Sequence, residues 1–575
     1  MTRSVVAPVI LFGCLAACQR TNDRCGDIAE SRDRRAFQQK SSIFLGSQYY
    51  RPPNPRPEDW DRDFRRIQEH GLDLVRFWVH WSKVNPAPGR WDWSDYDGLF
   101  DAAEKNGLKV QLLLVTELPP AWYMAAHPDT RMIESDGRPL DSTPCFHNAK
   151  ARNAGEEFMR RVAERYRTRR NLHSYDVWNE VVLYTCHCPD TQALYRQWLQ
   201  SRFKDIEALN RRYASPGYSR FSEVKIPTGG MEFYDYRELF FEWARERQLR
   251  WRVTSIQGAD PEHITMAHAC VGFTHPVFWR ADLWRLTPAL DRWGTSLYWG
   301  DTSGHRSLTA EDTFSMALDL NAIRDTAMGK PWWLAETTAG RVFGGLGFAQ
   351  RSDAEVRMKI VLGLAYGAEA IVFWQWRPEI FGNESPNFGL TGVDGEPTSR
   401  SETVRQTASM LKSHRAVFDH LQWRSPEVGL LFDPRGAIHE GGAGEKSPGW
   451  RNFLGFYRAL AEEGYDVGIL SARCAGESGV PAGMKVVFAP FLLFDRPELA
   501  AKLTAWVERG GTLVAGPRFG AYDIDGYAGK RVPPAGYTDV FEVRSREIHY
   551  PDSVAIRLKS GGPFHTPAET VVSVT

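Results

Sequence analysis

No sign of charge predominates in this 575-residue chain: Lys+Arg and Asp+Glu both number 71. A balanced surface sets up no field to gather nucleic acid or acidic lipid, so neither partner class has electrostatic support. Cysteine is scarce, with 8 in the whole chain, too few and too scattered for a disulfide framework. No unit repeats at solenoid periods. No Gly-rich dinucleotide fingerprint is present either, because Glu508-Arg509-Gly510-Gly511 reads more simply as a helix C-cap turn. What remains is ordinary for a soluble globular protein, 42% hydrophobic and 25% charged, at a length that predicts two or three domains. Aromatic residues make up 13%, with 21 Trp, and Trp faces stack on sugar rings as well as filling cores. The excess favours a carbohydrate site.

The N-terminus reads as an export signal. Arg3 precedes an apolar run from Val5 to Ala17, too short to span a bilayer. The run ends at Leu15-Ala16-Ala17-Cys18, which resembles a bacterial lipobox. That resemblance implies cleavage before Cys18 and a lipid on its sulfur, so the protein would be anchored to the cell envelope on its periplasmic or outer-membrane side. Ordinary signal cleavage and an uncleaved anchor are the alternatives. Residues 19–40 are polar, as a tether would be.

From residue 41 to 424, short apolar strands alternate with amphipathic helical patterns. The strands are expected at Ile43–Tyr50, Leu74–Trp78, Lys109–Val115, Ser174–Glu180, His263–Ala267, Trp293–Tyr298, a stretch ending at Glu336, and Ala370–Trp374. Helices such as Asp59–His70, Gly155–Thr168, Glu311–Thr326 and Asp353–Tyr366 separate them, and eight such units predict a (β/α)8 TIM barrel. A long insertion with helical patterns at Thr191–Arg212 and Tyr234–Ile256 divides the fourth strand from the fifth. Residues 425–525 restart the alternation with four strands, at Glu427–Phe432, Asp466–Leu470, Lys485–Ala489 and Thr512–Ala515, as in a doubly wound, flavodoxin-like α/β domain. Residues 526–575 receive no assignment.

Two of the barrel strands have the same form. Ser174 to Glu180 and Pro331 to Glu336 are apolar, Trp-containing runs, each delivering one glutamate at its C-terminal end. In a parallel barrel those ends share one mouth, so Glu180 and Glu336 would face each other there. Two carboxyl groups about 5–5.5 Å apart act as nucleophile and general acid/base in retaining glycoside hydrolysis, and about 6.5–9.5 Å apart in inverting hydrolysis. The bland alternative is two unrelated capping glutamates.

Several motifs occur in a fixed order. They are Val75-Arg76, Pro86 to Trp93, Pro119-Pro120-Ala121-Trp122, Trp178-Asn179-Glu180, Ile206 to Arg211, Leu334 to Thr338, Phe373 to Arg377 and Gly511 to Pro517. Together they resemble glycoside hydrolase family 42, the retaining β-galactosidases, over roughly Gly46 to Tyr522. The resemblance implies Glu180 as acid/base and Glu336 as nucleophile, with no cofactor in catalysis. It implies Arg76, Asn179, Tyr298, Trp374 and Glu384 as substrate-site residues, and a homotrimer built through the second domain. Departures fall on sugar recognition: Asp141 replaces an arginine, Asn387 a histidine, and two tryptophans are missing near Arg341–Gly344 and Tyr218. The same mechanism on a glucoside, an arabinopyranoside or a xylan or galactan oligomer is one alternative, and a glycan-binding lipoprotein without catalysis is another.

Cys145, Cys186 and Cys188 match three of four cysteines that hold a structural zinc in some family members, with Thr191 at the fourth position. His147, His187 or Asp190 would complete a tetrahedron, and free thiols or a disulfide are the alternatives. Cys270 and Cys474 lie in apolar contexts and are expected as buried free thiols.

Overall fold

The structure is a computed structural model. It describes residues 44–181, 185–213, 217–228, 243–269, 282–298, 310–341, 352–382, 384–418, 425–440, 448–524, 526–545, 554–558 and 570–574. The export signal, its cysteines, the tether, Cys270 and the start of the Tyr234–Ile256 pattern lie outside the described residues. Among the described residues no helix is long and apolar enough to cross a membrane.

Eight parallel strands close into a barrel in sequence order: β1 Phe44–Tyr50, β2 Leu74–His80, β3 Lys109–Val115, β4 Leu172–Asp176, β5 Ile264–Ala269, β6 Arg292–Ser296, β7 Trp332–Thr337 and β8 Ala368–Phe373. Period-two alternation sorts the side chains. On β2, Val75, Phe77 and Val79 face the helical shell, while Leu74 joins Met266, Trp333, Ala335, Ala370 and Val372 in a small apolar layer inside the barrel. Gly294 on β6 borders this layer, and a Cβ there would stand only 3.0 Å from both His268 Cβ and Met266 Cε. Above the layer the lining turns polar, with Gln48, Arg76, Gln111, Asp176, His268 and Glu336 all buried. Apolar packing thus fills the barrel's floor, and the charged groups gather at the C-terminal ends of the strands.

Two strands differ from the sequence reading in ways that matter. β4 ends at Asp176 rather than at Glu180, which lies on a short turn, Asn179–Val181, with left-handed backbone (φ 44°, ψ 52°). β7 carries a bulge: Leu334 and Glu336 pair with the consecutive residues Thr295 and Ser296 of β6, and the register also slips against β8. Without the extra residue, alternation from Trp333 and Ala335 would aim Glu336 outward. The bulge turns it into the mouth.

Between β4 and β5 the insertion holds the helices Pro189–Arg202 and Ile206–Tyr213, a π-helical turn at Ala244–Leu249 and the helix Arg250–Ala259. An antiparallel ribbon, Arg131–Ile133 with Pro139–Pro144, follows β3. The second domain is a four-stranded parallel sheet of β9 Val428–Phe432, β10 Val467–Ser471, β11 Val486–Ala489 and β12 Thr512–Ala515, in the order β10-β9-β11-β12. Its helices include Pro448–Glu462 and Pro497–Glu508. It is joined to the barrel through the helix Ala310–Thr326, where Asp325 Oδ2 accepts the Ile469 N–H at 2.6 Å and Asn321 Nδ2 donates to the Tyr457 hydroxyl at 2.6 Å. Val554–Leu558 and Thr570–Val574 form a two-stranded antiparallel ribbon in the segment left unassigned from sequence.

Cys474 corrects an expectation: it is disulfide-bonded. Of the four described cysteines, the other three are free thiols.

Candidate active site

Glu336 is held from two sides. Arg76 on β2 donates its Nη2–H to Oε1, and Tyr298, just past β6, donates its hydroxyl to Oε2 at 2.5 Å. Arg76 is itself fixed by Gln48 Oε1 at 2.9 Å and by the Ala335 carbonyl at 3.1 Å. Burial alone pushes the Glu336 carboxyl up, but the Arg76 charge, His268 and the Tyr298 hydroxyl outweigh it and hold the group below the usual carboxylate range. Burial and the neighbouring carboxylates raise the Tyr298 phenol well above its ordinary value, so it stays a donor.

Glu180 meets the same cluster through His268 on β5. The Glu180 backbone N–H donates to His268 Nε2 at 3.2 Å, and that nitrogen stands 3.8 Å from Glu336 Oε1. Glu180 N and Glu336 Oε1 therefore flank a single imidazole nitrogen, no further apart than those two distances end to end. The carboxylates of both residues also raise the Tyr298 phenol. The other ring nitrogen, Nδ1, bonds Asp176 Oδ2 at 2.7 Å, and Asp176 is 4.0 Å from Arg76. Asn179 Oδ1 is buried without a hydrogen-bond partner among the described residues.

Trp374, at the end of β8, closes one wall. Its ring centroid lies 5.9 Å from the Arg76 guanidinium carbon and 5.1 Å from the Trp78 ring. With Phe388, Trp78 and Tyr298 it makes an aromatic rim. Arg51 stacks over Trp78 at 4.9 Å and pairs with Glu384 at 2.7 Å and with Glu379 at 3.3 Å, so Glu384 reaches the rim through a cation. The buried Asn387 hydrogen-bonds the Glu384 carbonyl through its backbone N–H at 2.9 Å. All seven substrate-site and carboxylate residues named from sequence (Arg76, Asn179, Glu180, Tyr298, Glu336, Trp374 and Glu384) thus gather at one mouth. Asp176, His268, Arg51 and Trp78 were not singled out from sequence. Asp176 carried a usable signal, an acid directly before the apolar pair Val177-Trp178 in a buried stretch. A histidine in the apolar β5 run carried none.

The cysteine cluster stands apart, between the ribbon and the helix Pro189–Arg202. Cys145, Cys186 and Cys188 are buried free thiols whose sulfurs lie within 4.8 Å of one another. Cys186 Sγ accepts the backbone N–H groups of Ile133 and Cys188, both at 3.4 Å, and Cys188 Sγ accepts that of Thr191 at 3.5 Å. Hydrogen bonds from the other two thiols pull the Cys188 thiol down, while the bonds it shares with them push Cys145 up. No fourth His, Cys, Asp or Glu joins them among the described residues. Thr191 Oγ1 fills that corner, 3.2 Å from Cys188 Sγ and 2.9 Å from His147 Nδ1. Asp190 is engaged with Asn148 at 2.8 Å.

Comparison with known proteins places these features in context. Residues 49–414 match the glycoside hydrolase 42 family profile, described as beta-galactosidase, and residues 427–563 match a beta-galactosidase trimerisation domain. Beta-galactosidase BgaH of Haloferax lucentense is 26% identical over 544 residues, covering 89% of this chain and 79% of that protein. A beta-galactosidase of Thermus thermophilus is 27% identical over 522 residues, covering 85% and 77%. Among solved structures, the cold-adapted beta-galactosidase of Rahnella sp. R3 superposes with a TM-score of 0.81 at 20% identity, covering 93% of this chain and 81% of that one.

Proposed function

The chain belongs to glycoside hydrolase family 42, the β-galactosidases, and from that membership we propose that it hydrolyses terminal β-galactosides by double displacement. The carrying observation is the placement of Glu336 and Glu180 about one imidazole, with Arg76 and Tyr298 both committed to Glu336. Glu336, kept ionised by Arg76, attacks the anomeric carbon. Protonated Glu180 gives its proton to the departing glycosidic oxygen, then takes one from the water that releases the sugar with its configuration retained. Asn179 hydrogen-bonds the 2-hydroxyl as the ring flattens. Trp374 supplies the apolar face under the sugar, and Glu384, oriented by Arg51, accepts from hydroxyls at its far edge.

A panel of p-nitrophenyl β-glycosides tests this reading. The galactoside is expected to give the highest kcat/KM. A tenfold preference for the glucoside or the arabinopyranoside would overturn the sugar assignment and leave the mechanism standing. No cleavage of any member would overturn both.

The cysteine cluster fits a structural zinc: three buried thiols converge, and backbone N–H groups point at two of their sulfurs, as thiolates require. Cys145, Cys186 and Cys188 would hold the metal, with a solvent oxygen or Thr191 at the fourth corner, and its contribution would be to pin the ribbon to the insertion. Elemental analysis giving one zinc per chain supports this, and less than about a tenth per chain excludes it. The second domain supports a homotrimer, read by sedimentation. The signal-like residues before Cys18, together with a disulfide at Cys474 of the kind that persists in oxidising compartments, support an exported, lipid-anchored protein. Incorporation of radiolabelled palmitate, lost in Cys18→Ala, tests the anchor.

A further inference from the structure

We propose that His268 is a positioning residue that docks the Glu180 turn when its imidazole is neutral and releases it on protonation, so that proton donation by Glu180 depends on the state of a second, buried group. The inference rests on Glu180 being the acid/base.

The geometry sets the tautomer. His268 is fully buried, its Nδ1 lies 2.7 Å from Asp176 Oδ2, and its Nε2 lies 3.2 Å from the Glu180 backbone nitrogen. A backbone N–H is an obligatory donor, so Nε2 must be bare and the ring proton must sit on Nδ1, donated to Asp176. This bond helps to hold a glutamate in left-handed backbone, a conformation that costs a non-glycine residue about 1 kcal/mol or more and persists only where its surroundings impose it. Among the described residues, Asp176 on β4 and Glu336 on β7 favour the imidazolium and Arg76 on β2 opposes it, while the Glu180 backbone N–H meets the ring on the mouth side and the Tyr298 hydroxyl bonds Glu336 beside it. Burial pushes the His268 proton affinity down, but the two carboxylates prevail and the net direction is up. Protonating Nε2 removes the acceptor for the Glu180 N–H and offers a new donor to Glu336 Oε1, now 3.8 Å away. One proton thus loosens the acid/base turn and ties up the nucleophile.

The test compares kcat/KM on phenyl β-galactoside, whose leaving group needs a proton, with 2,4-dinitrophenyl β-galactoside, whose leaving group does not, across pH. Asn reaches the position of Nδ1 and Gln that of Nε2. His268→Asn therefore keeps the bond to Asp176 and loses the acceptor for Glu180, whereas His268→Gln supplies an acceptor that cannot titrate. H268N is expected to lose on the order of tenfold to a hundredfold on the phenyl substrate and under about threefold on the dinitrophenyl one. H268Q should be the more active of the two on phenyl β-galactoside, with its acid limb moved to lower pH than in the wild type. Asp176→Asn, which removes the charge that favours the imidazolium, should move that limb the same way, and it carries the test if the His268 variants do not fold. Equal losses of H268N on both substrates, or a wild-type acid limb in H268Q or D176N, would overturn the proposal. Glu180→Ala is the reference. If it discriminates between the leaving groups and H268N does not, this inference alone fails; if it shows no discrimination, the acid/base assignment fails and takes the inference with it.

Discussion

Glu336 and Glu180 share a mouth but are built differently. Glu336 sits within a strand, 3% exposed, with a guanidinium on one oxygen and a phenol on the other. Glu180 lies four residues past the end of its strand, on a left-handed turn, and its backbone N–H bonds an imidazole of the barrel. The difference follows from the work each must do. A nucleophile needs a fixed position and a permanent charge, which a strand, a cation and a phenol supply. An acid/base must change protonation twice per turnover, and a partly solvated turn allows that.

The comparison is broken most severely at the nucleophile. Glu336→Gly should lower kcat on aryl β-galactosides by at least about four orders of magnitude, with azide restoring turnover and giving the α-galactosyl azide. Appearance of the α-azide from a Glu180 variant instead would exchange the two roles. Glu180→Ala should lose about 10²–10⁴-fold on phenyl β-galactoside and far less on the dinitrophenyl ether, because only the first needs a proton.

Arg76→Met removes the charge that opposes both the protonation of Glu336 and the His268 imidazolium, so the acid limb of kcat/KM should move to higher pH, with a loss of about 10²–10³-fold at neutrality. The same variant should lose about 3–5 kcal/mol of stability, since Asp176 and Glu336 are left uncompensated, measured by urea denaturation. The sign for the wild type follows from the direction at Glu336. Its folded pKa lies below the unfolded one, so its pairing contributes stability above the unfolded value, and that contribution is lost as pH falls through the folded value. Tyr298→Phe is the mildest change. Losing one hydrogen bond to a charged acceptor predicts about a tenfold to hundredfold drop in kcat on aryl β-galactosides.

How far these contrasts could be read in advance depended on the physics behind each. Eight apolar runs at regular spacing made the barrel legible, and β3 spans the residues predicted for it, because hydrophobic alternation reports directly on which face is buried. The two glutamates were legible as residues, since each ends a Trp-bearing run. Their aim was not. Plain alternation from Trp333 and Ala335 sends Glu336 outward, and the bulge that corrects it is a register slip between β7 and both neighbours, a property of three strands together. Extending β4 to Glu180 missed the turn because Val177 and Trp178 are more apolar than the strand before them, and the left-handed backbone at Glu180 has no mark in the sequence. His268 was invisible for a related reason: a lone histidine in an apolar strand acquires meaning only beside Asp176, 92 residues earlier. Cys474 was misread because its surroundings are apolar whether it is a thiol or half a disulfide.

The most direct measurement is mass spectrometry of the enzyme inactivated with 2-deoxy-2-fluoro-β-galactosyl fluoride and digested. A single sugar label on the peptide carrying Glu336, absent from Glu336→Gly and present in Glu180→Ala, is the predicted result. A label on the Glu180 peptide, or none while the unlabelled enzyme turns over galactosides, would contradict the assignment of the two carboxylates.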